Sequence, residues 1–237
     1  MRPGVEQLLP AAGAPELLFL LFHGAGADGA QMRPLADALR AAYPQAAVLL
    51  LEAPEALPSE AVRGFRWFDE DAADRPAAAA AALPGFIAEV RRWAQHFGLD
   101  WPRVALAGFS QGGLMALEAV QAEEKLAGRV LAFGAAPLAR PVAAPEEVCL
   151  HLFQGLLDDE VSYRHVVDAA QAWVELGADV TADVLPGVGH QLDARLIERA
   201  IHQLRSFIPA RLWREAVITA AEMEEADREA LSKGRTH

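Results

Sequence analysis

Short apolar runs recur along the chain at Leu17 to Phe22, Ala47 to Leu51, Val104 to Ala107 and Val130 to Phe133, and two further stretches, Val148 to Phe153 with His151 inside it and Val180 to Leu185 with Thr181 and Asp183, follow the same spacing. All are too short for a helix and read as strands, and Leu17 to Phe22, Ala47 to Leu51 and Val104 to Ala107, which lack any polar alternation, read as buried ones. Between them the apolar spacing changes to that of helices. Gln31 to Tyr43 carries Met32, Leu35, Ala36 and Leu39 on one stripe and ends at Pro44. A second helix is expected from Pro84, with Phe86, Ile87, Val90, Trp93, Ala94 and Phe97 on its apolar side and Gly98 at its end. Further helices are expected from Ser110 to about Ala122, from Ser162 to Leu176, and from near Leu192 to before Pro209. Val5 to Leu9 suits an edge strand, whereas alanine-rich Ala72 to Ala82 fits either a loop or the first turns of a helix.

Strands and helices in alternation predict an α/β fold, with a mostly parallel central sheet and helices on both faces. Residues 1–208 form one catalytic domain in this reading. Residues 209–237 form a C-terminal helical extension, with Leu212 to Leu231 as its helix and Trp213, Ala216, Val217, Ala220 and Met223 as its packing face. That acidic helix is a candidate surface for homodimerisation.

A length of 237 residues and a hydrophobic content of 53% suffice for one substantial core. The 33 acidic residues outweigh the 21 basic ones, for a net charge of -12, which argues against a nucleic-acid or anionic-membrane surface. Cys149 is the one cysteine, so neither an intrachain disulfide nor a cysteine metal cluster is available. The Leu17 to Phe22 run is too short for a membrane span, for which about 20 residues are needed, and it lies poorly for a signal peptide. The expectation is a cytoplasmic protein without stable membrane insertion, cofactor or metal.

The chemistry concentrates beyond strand ends. Gly108-Phe109-Ser110-Gln111-Gly112 joins an apolar run to a helix, so its glycines would allow a sharp bend that exposes Ser110. In the plainer alternative Ser110 only caps the helix. The loop His23-Gly24-Ala25-Gly26-Ala27-Asp28-Gly29 would turn amides inward, and the backbone N–H groups of Ala25 and Gln111 are the candidate donors to a carbonyl oxygen that becomes negative. His23 beside that turn reads as structural.

Trp67 and Phe68 form an aromatic island and are candidates for lining a substrate pocket, with anchoring of the loop to the body as the equal alternative. Gln154 to Val161 is a strand-end turn with three carboxylates, Asp158, Asp159 and Glu160. His190 follows another strand-end glycine turn. A serine hydroxyl needs a base to attack a carbonyl, and a histidine oriented by a carboxylate supplies one. The order Ser110, Asp158, His190 suits a hydrolase elbow, with Asp159 as the competing acid.

On Phe22-His23-Gly24-Ala25-Gly26, Trp67-Phe68-Asp69, Gly108 to Gly113, Gly155 to Val161 and Gly189-His190, the sequence resembles the phospholipase/carboxylesterase family of α/β-hydrolases. The likeness is to its acyl-protein-thioesterase-like bacterial esterases and covers about residues 17–208. It implies the α/β-hydrolase fold, Ser110 as nucleophile, His190 as base and Asp158 rather than Asp159 as the orienting acid. Two departures stand out: Gln154 replaces the histidine that usually precedes Gly155, and Ala27 separates Gly26 from Asp28, which are adjacent in thioesterase-like members.

The resemblance implies hydrolysis of small-molecule carboxylic esters with small or medium acyl groups. Acyl thioesterase or lysophospholipase activity is the enzymatic alternative. A noncatalytic binding or interaction protein on the same fold is the other.

Overall fold

The computed structural model describes residues 4–57, 64–209 and Met223. The chain divides into two compact units, residues 1–205 and 206–237. The expected helix from Leu212 to Leu231 lies, but for Met223, outside the described residues.

The first unit is built on a seven-stranded sheet of β1 (Val5–Leu8), β2 (Leu17–Phe22), β3 (Ala46–Leu51), β6 (Val104–Phe109), β7 (Arg129–Phe133), β8 (Cys149–Gly155) and β9 (Asp179–Leu185). Its order is β1-β3-β2-β6-β7-β8-β9. β1 runs antiparallel to β3 at one edge, and all other pairs are parallel. Parallel strands need crossovers, and α1 (Arg33–Ala42), α2 (Arg75–Phe97), α3 (Gln111–Ala122), α4 (Tyr163–Glu175) and α5 (Ala194–Ser206) alternate with them.

The apolar runs are continuous because both faces of the sheet are covered. Within β2, Leu18, Leu20 and Phe22 join a core that includes Val90 of α2, Met115 of α3 and Trp173 of α4. Phe19 and Leu21 face the other way, into a core with Leu35 and Leu39 of α1 and Ile197 of α5. The two-residue alternation of a strand divides its side chains between two apolar layers.

One local expectation is corrected, and the alternative left open at Ala72 to Ala82 is decided for the helix. The segment after Gly29 opens as a 3-10 turn, Gly29–Met32, because the Asp28 carboxylate accepts the Ala30 N–H at 2.9 Å; α-helix starts only at Arg33. α2 begins at Arg75, well ahead of Pro84, because Asp74 caps the alanine-rich first turns by accepting the Ala77 N–H at 3.0 Å. Pro84 therefore lies inside that helix. Beyond β3, β4 (Glu55–Ala56) pairs antiparallel with β5 (Phe65–Arg66). Among the described residues, no helix is long and apolar enough to cross a membrane.

Candidate active site

β6 passes into α3 through a single residue, Ser110, whose φ of 51° is positive. This conformation costs a non-glycine residue on the order of 1–3 kcal/mol and persists only where the surroundings impose it. Here the Ser110 N–H donates to the Phe133 carbonyl at 2.8 Å, while its carbonyl accepts the Leu114 N–H at 3.0 Å. Space is equally restricted. A Cβ on Gly108 would collide with the backbone of Gly112, and one on Gly112 with the carbonyl oxygens of Phe22 and His23. Glycine allows helix and strand to close around the bend.

The Ser110 side chain does not cap α3. Its Oγ lies 3.0 Å from His190 Nε2, and His190 Nδ1 lies 2.8 Å from Asp158 Oδ2. An ionised carboxylate only accepts, so Nδ1 carries the ring proton and Nε2 is left free to receive the serine proton. The Asp158 side chain is 1% exposed. Its other oxygen accepts the N–H groups of Glu160 at 3.0 Å and Val161 at 2.8 Å, which fix the carboxylate within its own turn.

Asp159 is exposed, and Glu160, also exposed, brings Oε2 to 3.4 Å from His190 Nε2.

The parallel register of β8 and β9 sets Gly155 opposite Leu185, so the acid and histidine turns leave the sheet together. A Cβ on Gly155 would collide with the Val188 carbonyl. Gln154, fully buried, donates from Nε2 to the Val161 carbonyl at 2.7 Å and so staples the end of the acid turn. The amide thus gives the residue in the usual histidine position a structural task.

The glycine loop after β2 borders the serine: a Cβ on Gly24 would stand 3.3 Å from Ser110 Cβ. Gln31 Oε1 accepts the Gly24 N–H at 2.7 Å, and the loop is tied to β5 by Gly26 N–H to Phe65 O and Phe65 N–H to Ala27 O. The extra residue Ala27 is thereby absorbed in a bridge with Phe65. Ala25 is exposed on this loop. Gln111 opens α3, where the first N–H groups have no intrahelical acceptor.

His23 is structural. Its Nδ1–H donates to the Gly24 carbonyl at 2.7 Å, its Nε2 accepts the Ala53 N–H at 3.0 Å, and burial pushes its pKa down.

Trp67 and Phe68 are not pocket-lining residues of this site. They are 7% and 3% exposed and belong to the core, where Trp67 meets the Phe22 and Phe86 rings edge-on at 5.3 and 5.4 Å. Burial of their large apolar surfaces holds the segment down, and Trp67 Nε1 donates to the His23 carbonyl at 2.9 Å. The Gln111 side chain completes the anchor: Oε1 accepts the Trp67 N–H at 2.6 Å and Nε2 donates to the Phe68 carbonyl at 2.9 Å. Sequence reasoning assigned that side chain no task.

A cleft of 540 Å³ opens at Ser110, with Leu114, Ala135, Pro137, Leu138 and Val161 among its apolar lining. The Ala135–Leu138 stretch was missed, although its place after β7, another strand end, was the available signal. Glu118 of α3 holds it by accepting the Leu138 N–H at 2.8 Å; burial raises the Glu118 pKa, and this hydrogen bond partly offsets the rise. Among the described residues no group of three or more His, Cys, Asp or Glu side chains has the disposition to hold a metal ion.

The parallel sheet, the strained elbow and the strand-end loops together define an α/β-hydrolase. A sequence profile of the phospholipase/carboxylesterase family matches residues 6–208. The chain is 36% identical over 205 residues to esterase YpfH of Escherichia coli K12, covering 84% of this chain and 87% of that protein. Among solved structures it is similar to esterase PE8, with a TM-score of 0.76 and 26% identity over 86% of this chain and 98% of the other. A carboxylesterase from Mesorhizobium loti has the same fold, with a TM-score of 0.68 and 21% identity over 81% and 89% of the two chains. The chain belongs to the phospholipase/carboxylesterase family of esterase-type hydrolases.

Proposed function

We propose that the protein is a serine carboxylesterase that cleaves small-molecule esters of small or medium acyl groups through an acyl-enzyme. The observation that carries this reading is the continuous relay of 3.0 and 2.8 Å from Ser110 through His190 to Asp158, at a cleft that has both an apolar wall and charged residues. Ser110 Oγ attacks the ester carbonyl as its proton passes to His190 Nε2, and Asp158 steadies the imidazolium that forms. The negative carbonyl oxygen is received by the backbone N–H groups of Ala25 and Gln111, and loss of one such donor typically costs about 10²–10³-fold in rate. As the carbonyl–oxygen bond to the alcohol breaks, Nε2 returns the proton to the departing oxygen. Water then attacks the acyl-serine, Nε2 takes its proton, and the acid leaves as Ser110 Oγ is reprotonated.

The cleft size and the alanine, leucine and proline in its lining support a small or medium acyl group.

The test is labelling of the full chain by a fluorophosphonate, read by intact mass, with Ser110→Ala and His190→Ala alongside. One adduct on the wild type and none on Ser110→Ala is expected; an undiminished adduct on Ser110→Ala sinks the nucleophile. Asp158→Asn should lower kcat by about 10⁴-fold while exposed Asp159→Asn stays within about twofold. Matched oxygen esters and thioesters, short and long, then separate the esterase from a thioesterase or lysophospholipase.

A further inference from the structure

Resting on the esterase reading above, we propose that Glu160 selects the alcohol part of the substrate, favouring esters whose leaving group is positively charged and disfavouring those whose leaving group carries carboxylate or phosphate. His190 Nε2 is the atom that hands a proton to the departing oxygen, so the leaving group must pass beside it. Glu160 Oε2 lies 3.4 Å from that nitrogen, and the side chain is 69% exposed on the cleft. Its position is held from the backbone, because the Glu160 N–H donates to the buried Asp158 carboxylate that orients the same histidine. The carboxylate therefore faces the leaving-group side of the reaction.

The cleft lining also carries the carboxylates of Glu70 and Asp168, the imidazole of His165 and the guanidinium groups of Arg75 and Arg140, but the carboxylate recorded beside His190 Nε2 is that of Glu160. Arg75 is paired with Glu70 at 3.3 Å and Arg140 with Glu175 at 3.0 Å. A leaving group bearing an ammonium gains attraction to Glu160, and a polyanionic one, such as the phosphate-bearing thiol of an acyl-coenzyme thioester, meets repulsion. The attraction is present in both the bound ester and the transition state, so it acts mainly on KM. Glu160 is exposed, so salt should screen it.

The experiment uses esters of one acyl group whose alcohols are matched in size and carry a quaternary ammonium, a neutral tertiary carbon or a carboxylate. Wild type, Glu160→Gln, Glu160→Asp and Asp159→Asn are compared at low and high salt. In the wild type at low salt, kcat/KM should be higher for the ammonium ester than for the carboxylate ester. Glu160→Gln should lower that ratio by about threefold or more, chiefly through KM, and added salt should lower it in the wild type but hardly in the variant. Glu160→Asp should fall between the two, and Asp159→Asn should keep the wild-type ratio.

An unchanged ratio in Glu160→Gln, or a wild type indifferent to leaving-group charge at low salt, overturns the proposal. Failure of the esterase reading would show separately, as fluorophosphonate labelling that persists in Ser110→Ala.

Discussion

The elbow from Gly108 to Gly112 and the aromatic stretch from Gly64 to Phe68 share the side chain of Gln111 but differ in what they do with their polar groups. At the elbow, the backbone bends into a costly conformation and leaves a hydroxyl directed at a histidine beside an open cleft. In the aromatic stretch, Trp67 and Phe68 are buried and the Trp67 polar atoms are spent on neighbours: its indole on His23 and its amide on Gln111. One region stores strain and keeps a reactive group beside open space; the other commits the Trp67 polar atoms to neighbours and bears weight. Residue chemistry alone does not distinguish them, because serine and tryptophan serve in either role. What separates them is whether the polar atom still faces free space.

The sharpest break of this contrast pairs Ser110→Gly with Trp67→Ala. Ser110→Gly should abolish activity, by at least about 10⁴-fold, while relief of the positive φ raises the unfolding free energy by roughly 1 kcal/mol. Trp67→Ala should do the reverse, costing about 3–5 kcal/mol in denaturant unfolding while KM of the folded fraction holds. A Trp67→Ala protein of wild-type stability with an altered KM would return that residue to the substrate pocket.

A smaller effect is expected at the shared residue. Gln111→Met retains most of the volume but strands the Trp67 N–H and the Phe68 carbonyl, at a cost of about 2–4 kcal/mol in chemical denaturation. Because the proposed catalytic contribution of Gln111 is its backbone amide, kcat of the folded variant should change by less than about tenfold.

The last effect, read as a slope against pH, concerns a buried histidine on the scaffold side. His151 accepts from Arg129 at Nε2 and faces Thr181 Oγ1 at Nδ1, both at 2.9 Å; burial first and the Arg129 charge second lower its pKa from 6.5 to about 3. In that window the unfolded chain takes up a proton that the folded chain refuses, so stability should fall as pH drops from 6.5 towards 3. His151→Gln should make this decline shallower by up to about 1.4 kcal/mol per pH unit in urea titrations. An identical slope would show that His151 titrates normally in the fold.

The same distinction explains what the sequence conveyed. The central strands could be read because two-sided burial leaves an uninterrupted apolar run, as in Leu17 to Phe22, whereas the edge strand β9 is only half-buried and carries Thr181 and Asp183. Ser110, Asp158 and His190 could be singled out because each follows a strand at a glycine-marked turn. The choice of Asp158 over Asp159 needed the family likeness, and in the structure Asp158 is the one that meets His190. Trp67 and Phe68 were not resolved between pocket and core, since their burial depends on Phe22, Phe86 and Gln111, all distant in sequence. The start of α2 was obscured by Pro84, which locally signals a boundary although Asp74 had already initiated the helix. The role of Ala135 to Leu138 was hidden because small apolar side chains carry no motif.

The separation of the relay along the chain has a kinetic consequence. Ser110 and His190 are 80 residues apart and Asp158 and His190 are 32 apart, and each residue stands at the end of a different parallel strand. Parallel pairing closes long loops before its contacts give any return, so it is slow to form relative to local helices. During refolding, α2 and α4 can acquire helical signal early, whereas no partial sheet lacking β8 or β9 carries an assembled relay. Covalent reactivity of Ser110 is thus a late clock of folding: its recovery should trail far-ultraviolet ellipticity and coincide with the final docking of the β8–β9 edge.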